Sequence, residues 1–162
     1  MNKRMKHILQ FLLLLFFTTL WGCGDSGRIP VYPVRGKVTL DGQPAVGAFV
    51  KFKIINGTEQ TKWMMPQGTT DEDGAFRLDT YEMGDGAPEG NYNVFINWPT
   101  PEDGVETTAP ESLDFIREKY ANRKDPQLQA EVKLLPDRES DEIVIPTFDL
   151  TVNEYLEDTS DE

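Results

Sequence analysis

The chain has 162 residues, with 28 acidic against 16 basic side chains and a formal net charge of −12. That acidity argues against nucleic acid as a partner, and the length suits one domain with a real core. Cys23 is the only cysteine and His7 the only histidine, which excludes an internal disulfide. At the N-terminus, Lys3, Arg4 and Lys6 precede an apolar run from Ile8 to Leu20. As a helix, such a run rises about 20 Å at roughly 1.5 Å per residue. A bilayer core needs about 30 Å, so the run reads as the apolar part of a signal peptide and not as a membrane span.

Leu20-Trp21-Gly22-Cys23 follows. It resembles the bacterial lipobox, with a large apolar residue three before a cysteine and a small residue just before it; bulky Trp21 is the departure. The resemblance implies cleavage between Gly22 and Cys23 and a lipid on the Cys23 sulfur, where a thiolate is the nucleophile. Residues 1–22 are then a signal peptide, 23–30 a lipidated tether, and 153–162 an acidic, disordered tail. Loss of three basic residues with the signal takes the net charge from −12 to −15, and His7 is lost as well. The protein is expected to be exported and lipid-anchored in the cell envelope. Gly24 favours the outer membrane, while Asp25 leaves the inner membrane open.

From residue 31 the dominant signal is period-2 alternation of apolar and polar residues, the signature of half-buried strands. Val34, Val38 and Leu40 alternate with Arg35, Lys37 and Thr39, and Asp41-Gly42 marks a tight turn. Ala48, Val50, Phe52 and Ile54 form a second strand and Phe76 with Leu78 a third. Tyr92, Val94, Ile96 and Trp98 give the clearest strand. Between Pro99 and Gln127 the alternation breaks, and a short helix over Glu111–Tyr120 would place Leu113, Ile116 and Tyr120 on one face. Thr108 and Glu111 have the spacing of a capping box. Leu128 to Leu134 is a fifth strand and Ile143 to Val152 the last. Pro146 requires an edge or a bulge there, with the inward set switching from Ile143 and Ile145 to Phe148, Leu150 and Val152. These elements predict an all-β, two-sheet sandwich over 31–152.

Several segments resemble carboxypeptidase regulatory-like domains. They are Val34-Arg35-Gly36-Lys37-Val38, Asp41-Gly42-Gln43-Pro44, Thr70-Asp71-Glu72-Asp73-Gly74 and Pro88-Glu89-Gly90-Asn91-Tyr92. The ending Ile145-Pro146-Thr147-Phe148-Asp149-Leu150 is similar to the closing strand of bacterial lipoproteins with this domain. The resemblance implies a transthyretin-like or Ig-like β-sandwich of about six to seven strands, with the short helix in the 99–127 insertion. It implies no activity.

Asp71 and Asp73 are the sharpest metal candidates, since calcium takes carboxylate oxygens. Aligning Gly74 with the invariant glycine of an EF-hand loop puts Thr69 and Thr80 where ligating acids belong, so a turn with aspartate caps is preferred. Without histidine or a free thiol in the processed chain, triads and histidine-bound zinc are excluded, and no cofactor is implied. Trp63 and Tyr81 are candidates for a binding surface, as exposed aromatics can stack on sugars. For Trp63 the alternative is a plug over the sandwich end, and Trp98 is assigned to the core. The expected function is a non-catalytic binding or structural module, engaging an envelope protein or glycan through loops. Its rival is a carboxylate-dependent hydrolase of envelope polymers.

If each connection reverses direction, Asp41 and the Gly84–Gly90 loop share the end far from the tether, with 136–141. The connections 56–70 and 99–127 then share the tether end and form the partner surface with Trp63.

Overall fold

The computed structural model describes residues 27–98, 113–134 and 142–152, together with Arg4. Cys23, Gly22, the signal segment, Thr108, Glu111 and the tail lie outside the described residues.

The fold is an all-β sandwich of two sheets with one short helix. Among the described residues the strands are β1 (Val34–Leu40), β2 (Gln43–Pro44), β3 (Phe49–Ile54), β4 (Gln67–Thr69), β5 (Ala75–Arg77), β6 (Gly90–Asn97), β7 (Leu128–Val132), β8 (Ile143–Val144) and β9 (Phe148–Leu150). The helix, α1, spans Leu113–Tyr120. β4 and β2 were not expected from the alternation, because neither carries an apolar pair.

In the first sheet β1 is central. Antiparallel β5 and β2 flank one side; β8 and β9 flank the other, parallel to β1. The second sheet runs β4-β3-β6-β7, antiparallel throughout. The two meet at one corner, where Gln67 and Asp79 exchange backbone hydrogen bonds of 3.0 and 2.8 Å. On the opposite side, β7 pairs with β6 only as far as Val94. There α1 takes over: Arg117 donates to the Asn97 side chain (3.0 Å) and to the Trp98 carbonyl (3.1 Å). The Tyr120 hydroxyl accepts from the Thr151 amide at 3.0 Å, so the helix ties the second sheet to the end of β9.

Alternation places the core where the sequence put it. Val34, Val38, Val50, Phe52, Phe76, Leu78, Tyr92, Val94, Ile96, Trp98 and Leu150 are buried between the sheets. Gly36 also faces inward. A methyl group there would come 2.6 Å from Cζ of Phe76 and 2.8 Å from Ile145, so the Phe76 ring fills its space.

Pro146 creates a bulge on an edge. Val34 pairs with Ile143, yet Val38 pairs with Phe148, so four steps on β1 face five on its neighbour. The extra residue lets Ile143 and Ile145, then Phe148 and Leu150, all point into the core. Asp41 (φ 49°) and Gly42 (φ 77°) form the β1–β2 turn, with the two successive positive φ angles of a type I′ hairpin.

The expected distribution of loops between the two ends is corrected by β4. This strand adds one reversal, so the later strands run in the sense opposite to the one expected. Gly86 packs on the backbone of Tyr32 and Pro33, and Ala87 pairs with Tyr32, so the Gly84–Gly90 loop lies at the tether end. Trp98 and α1 lie at the far end, through Val46 and Thr151. Leu134 donates to Glu89 and Ile143 to the Pro33 carbonyl, so the end of β7 and the start of β8 lie at the tether end. Gly104 is outside the described residues. The added reversal also makes the last strand parallel to β1, since both now run away from the tether.

Candidate functional site

The tether end is built from three segments: Gly27–Tyr32, the 56–66 connection and the 79–86 loop. Asn56 turns the chain out of β3 with a left-handed φ of 55°. Thr58 and Thr61 then cap one another, amide to hydroxyl, at 2.8 and 3.3 Å. Lys62 and Met64 add helical-turn amide bonds to Thr58 and Thr61 at 2.9 Å each. This compact turn presents Trp63 outward, 79% exposed. Trp63 is therefore not a plug over the core.

The second loop is organised by carboxylates. Asp85 accepts from the amides of Thr80 (2.7 Å), Tyr81 (2.9 Å) and Glu82 (3.0 Å), and Asp79 accepts from Gly84 (2.5 Å). So braced, the loop holds Met83 at its apex, 95% exposed.

Tyr81 joins the three segments. Its hydroxyl accepts from the Ile29 amide at 3.2 Å and lies 3.9 Å from the Met64 sulfur. The Arg28 guanidinium sits 5.2 Å above its ring and pairs with Glu82 at 3.4 Å. Tyr81 is thus half-exposed and mainly a clasp between the tether and the loops. Beside it, Lys53, Lys62, Trp63, Met65 and Arg123 line an open groove of about 380 Å³. The Lys62 ammonium lies 5.2 Å over the Trp63 ring and pairs with Glu59. Lys53 comes from the outer face of β3 and Arg123 from the turn after α1.

The acidic turn at Asp71 lies at the far end. Asp71 Oδ1 accepts from the amides of Asp73 (3.0 Å) and Ala75 (2.9 Å), and Gly74 takes a φ of 73° against the Val38 carbonyl. Asp73 is exposed and its carboxylate does not join that cap. Thr70, buried behind the turn, accepts from the Ala48 amide at 2.8 Å and donates to the Ala45 carbonyl. Beside the turn, a second open groove is lined by Arg35, Thr69, Asp71, Ala75, Phe76 and Arg77. Arg35 and Arg77 clasp Glu142 between them at 3.1 and 3.2 Å. With both arginines more than half exposed, these pairs orient Glu142 more than they stabilise the fold.

No protein family, curated protein or solved structure matches the chain. The site is accordingly defined by its own geometry.

Many carboxylates that composition offered as chemistry are engaged elsewhere. Asp71, Asp79, Asp85 and Glu89 bond backbone amides, Asp149 accepts from the Thr39 hydroxyl at 2.7 Å, and Glu142 lies between two guanidinium groups. Sequence reasoning found Trp63 and Tyr81 but missed Met65, Met83, Lys53 and Arg123. Met83 had a readable signal: an apolar side chain inside Met83-Gly84-Asp85-Gly86, where turns are too tight to bury it. Arg123 had none, because its place beside Trp63 depends on the path of the chain after α1. Among the described residues, no helix is long and apolar enough to cross a membrane.

Proposed function

We propose that this chain is an exported envelope lipoprotein held by a lipid on Cys23, with the outer membrane preferred. Its sandwich is a carboxypeptidase regulatory-like, transthyretin-like domain that acts as a non-catalytic binding module. The binding surface is the loop cluster at the tether end. The observation that carries this reading is the presentation of Trp63 and Met83 to solvent on braced loops. Rigid loops bearing exposed large apolar groups are how a sandwich offers a docking surface. The engagement of carboxylates by amides and arginines favours the module over the hydrolase.

The test replaces Trp63 with a photo-crosslinking residue in the full chain, expressed in cells. Position 144, also exposed but on the outer face of the first sheet, is the control. Adducts at 63 and not at 144 are expected. Equal labelling at the two positions would overturn the reading.

A further inference from the structure

We infer that the tether-end loops seat in the headgroup region of the phospholipid leaflet that holds the chain's own anchor, fixing the sandwich upright on that leaflet. This names the partner of the surface proposed above, and it rests on the reading of Cys23 as the lipid-bearing residue.

Placement is the first argument. Among the described residues the large exposed apolar side chains are Trp63, Met65, Tyr81, Met83 and Val144, and all but Val144 lie on the tether-end loops. Ile29 is bonded to the Tyr81 hydroxyl, so the path from the anchor enters the domain at this same surface. Gly27 is four residues beyond Cys23, and four extended residues reach only about 13 Å at roughly 3.3 Å each. A lipid on Cys23 therefore holds these loops within a headgroup layer's distance of the leaflet.

Chemistry is the second argument. Tryptophan and tyrosine settle at the membrane–water interface, where an apolar ring and a polar edge are both satisfied. Methionine adapts its shape to an irregular apolar surface. The groove against Trp63 adds Lys53, Lys62 and Arg123. In a processed chain of net charge −15 (the full chain's −12 less Lys3, Arg4 and Lys6), Lys53 and Arg123, beside the Lys62–Glu59 pair, meet phosphate groups at a depth where the tryptophan ring meets glycerol and upper acyl carbons. The capped Asp71 turn and the Asp41 turn sit at the opposite end, away from the leaflet. That end, with α1 and Thr151, is what the upright domain presents outward.

The experiment uses the full chain as processed by the cell, mixed with vesicles of phosphatidylethanolamine and phosphatidylglycerol whose upper acyl carbons are brominated. Trp63 emission is read as the difference between the native chain and Trp63→Phe, which subtracts Trp98 and any retained Trp21. Bromine quenching of that emission, with loss of its quenching by aqueous iodide, is expected. Met65→Ser combined with Met83→Ser, both at exposed positions, should weaken vesicle partitioning by about a hundredfold, about tenfold for each large apolar side chain lost. Trp63 emission that ignores brominated lipid and stays open to iodide would overturn the inference. The mass of the processed chain reads the anchor separately. Lipid on Cys23 with unquenched Trp63 sinks the docking and leaves the anchor. Quenched Trp63 on an unlipidated chain sinks the anchor and leaves the docking. A protein or glycan adduct at position 63, with no vesicle quenching, leaves the binding module and removes the leaflet as its partner.

Discussion

Phe52 is the ring through which the two sheets grip one another, and substituting leucine there tests what holds the sandwich together. Its centroid lies 5.6 Å from Tyr92 in its own sheet, and 6.3 Å from Phe76 and 6.4 Å from Phe148 in the other. Phe76 and Phe148 also stack on each other at 6.5 Å, with planes 12° apart. Leucine keeps most of the buried apolar volume but removes three ring pairs, each contributing about 0.5–1.5 kcal/mol beyond area burial. Phe52→Leu is therefore expected to destabilise by about 2–3 kcal/mol, below the roughly 3–5 kcal/mol of a Phe→Ala cavity. Urea unfolding followed by the emission of buried Trp98 should show the midpoint falling by about 1 M, for a slope of about 2 kcal/mol per M. A double-mutant cycle with Phe148→Leu should return a coupling of about 1 kcal/mol across the sheets. A midpoint within about 0.2 M of the native chain, or zero coupling, would refute the account of the core as an aromatic clasp.

Deleting Pro146 removes the extra residue and aligns Val34 with Ile143 and Val38 with Phe148 in one register. It should change stability by less than about 1 kcal/mol, whereas deleting Asp149 turns Leu150 outward and should cost about 1.5–3 kcal/mol; urea midpoints of the two deletions decide it. Tyr92 donates its buried hydroxyl to the Pro88 carbonyl at 2.7 Å, and burial raises its pKa far above the usual value. Its neutral form contributes stability that is complete below about pH 10 and lost as pH climbs toward the raised folded value. Tyr92→Phe should lower stability at neutral pH by about 1–3 kcal/mol through the orphaned carbonyl, and flatten the alkaline decline. An alkaline profile unchanged by the substitution would sink that assignment.

Much of the fold was legible because its signals are local. Alternation in Val34 to Leu40, Val50 to Ile54 and Tyr92 to Trp98 must put one set of side chains on one face, whatever the strands later pair with. Asp41-Gly42 and Asp71 to Gly74 form turns because those residues tolerate left-handed backbone and cap their own amides. Pro146 announced its bulge, since it cannot donate to a ladder. Each of these readings depends on a few consecutive residues.

The sequence by itself thus determined that the chain folds as strands around an apolar core, and where the turns fall. Only the tertiary structure decided which end each loop occupies. That outcome hung on Gln67-Gly68-Thr69, a strand with no apolar residue to mark it; Gly68 is buried because the backbone of Arg77 lies against it. One unread strand reverses the direction of all that follows. It put Trp98 and α1 at the end away from Trp63, brought Met83 to Trp63's end and made the last strand parallel to β1. A surface assembled from Lys53, Trp63, Met83 and Arg123 has no signature in any window of sequence, because its spacing is set by strand pairing across the sandwich and not by the period of a single strand.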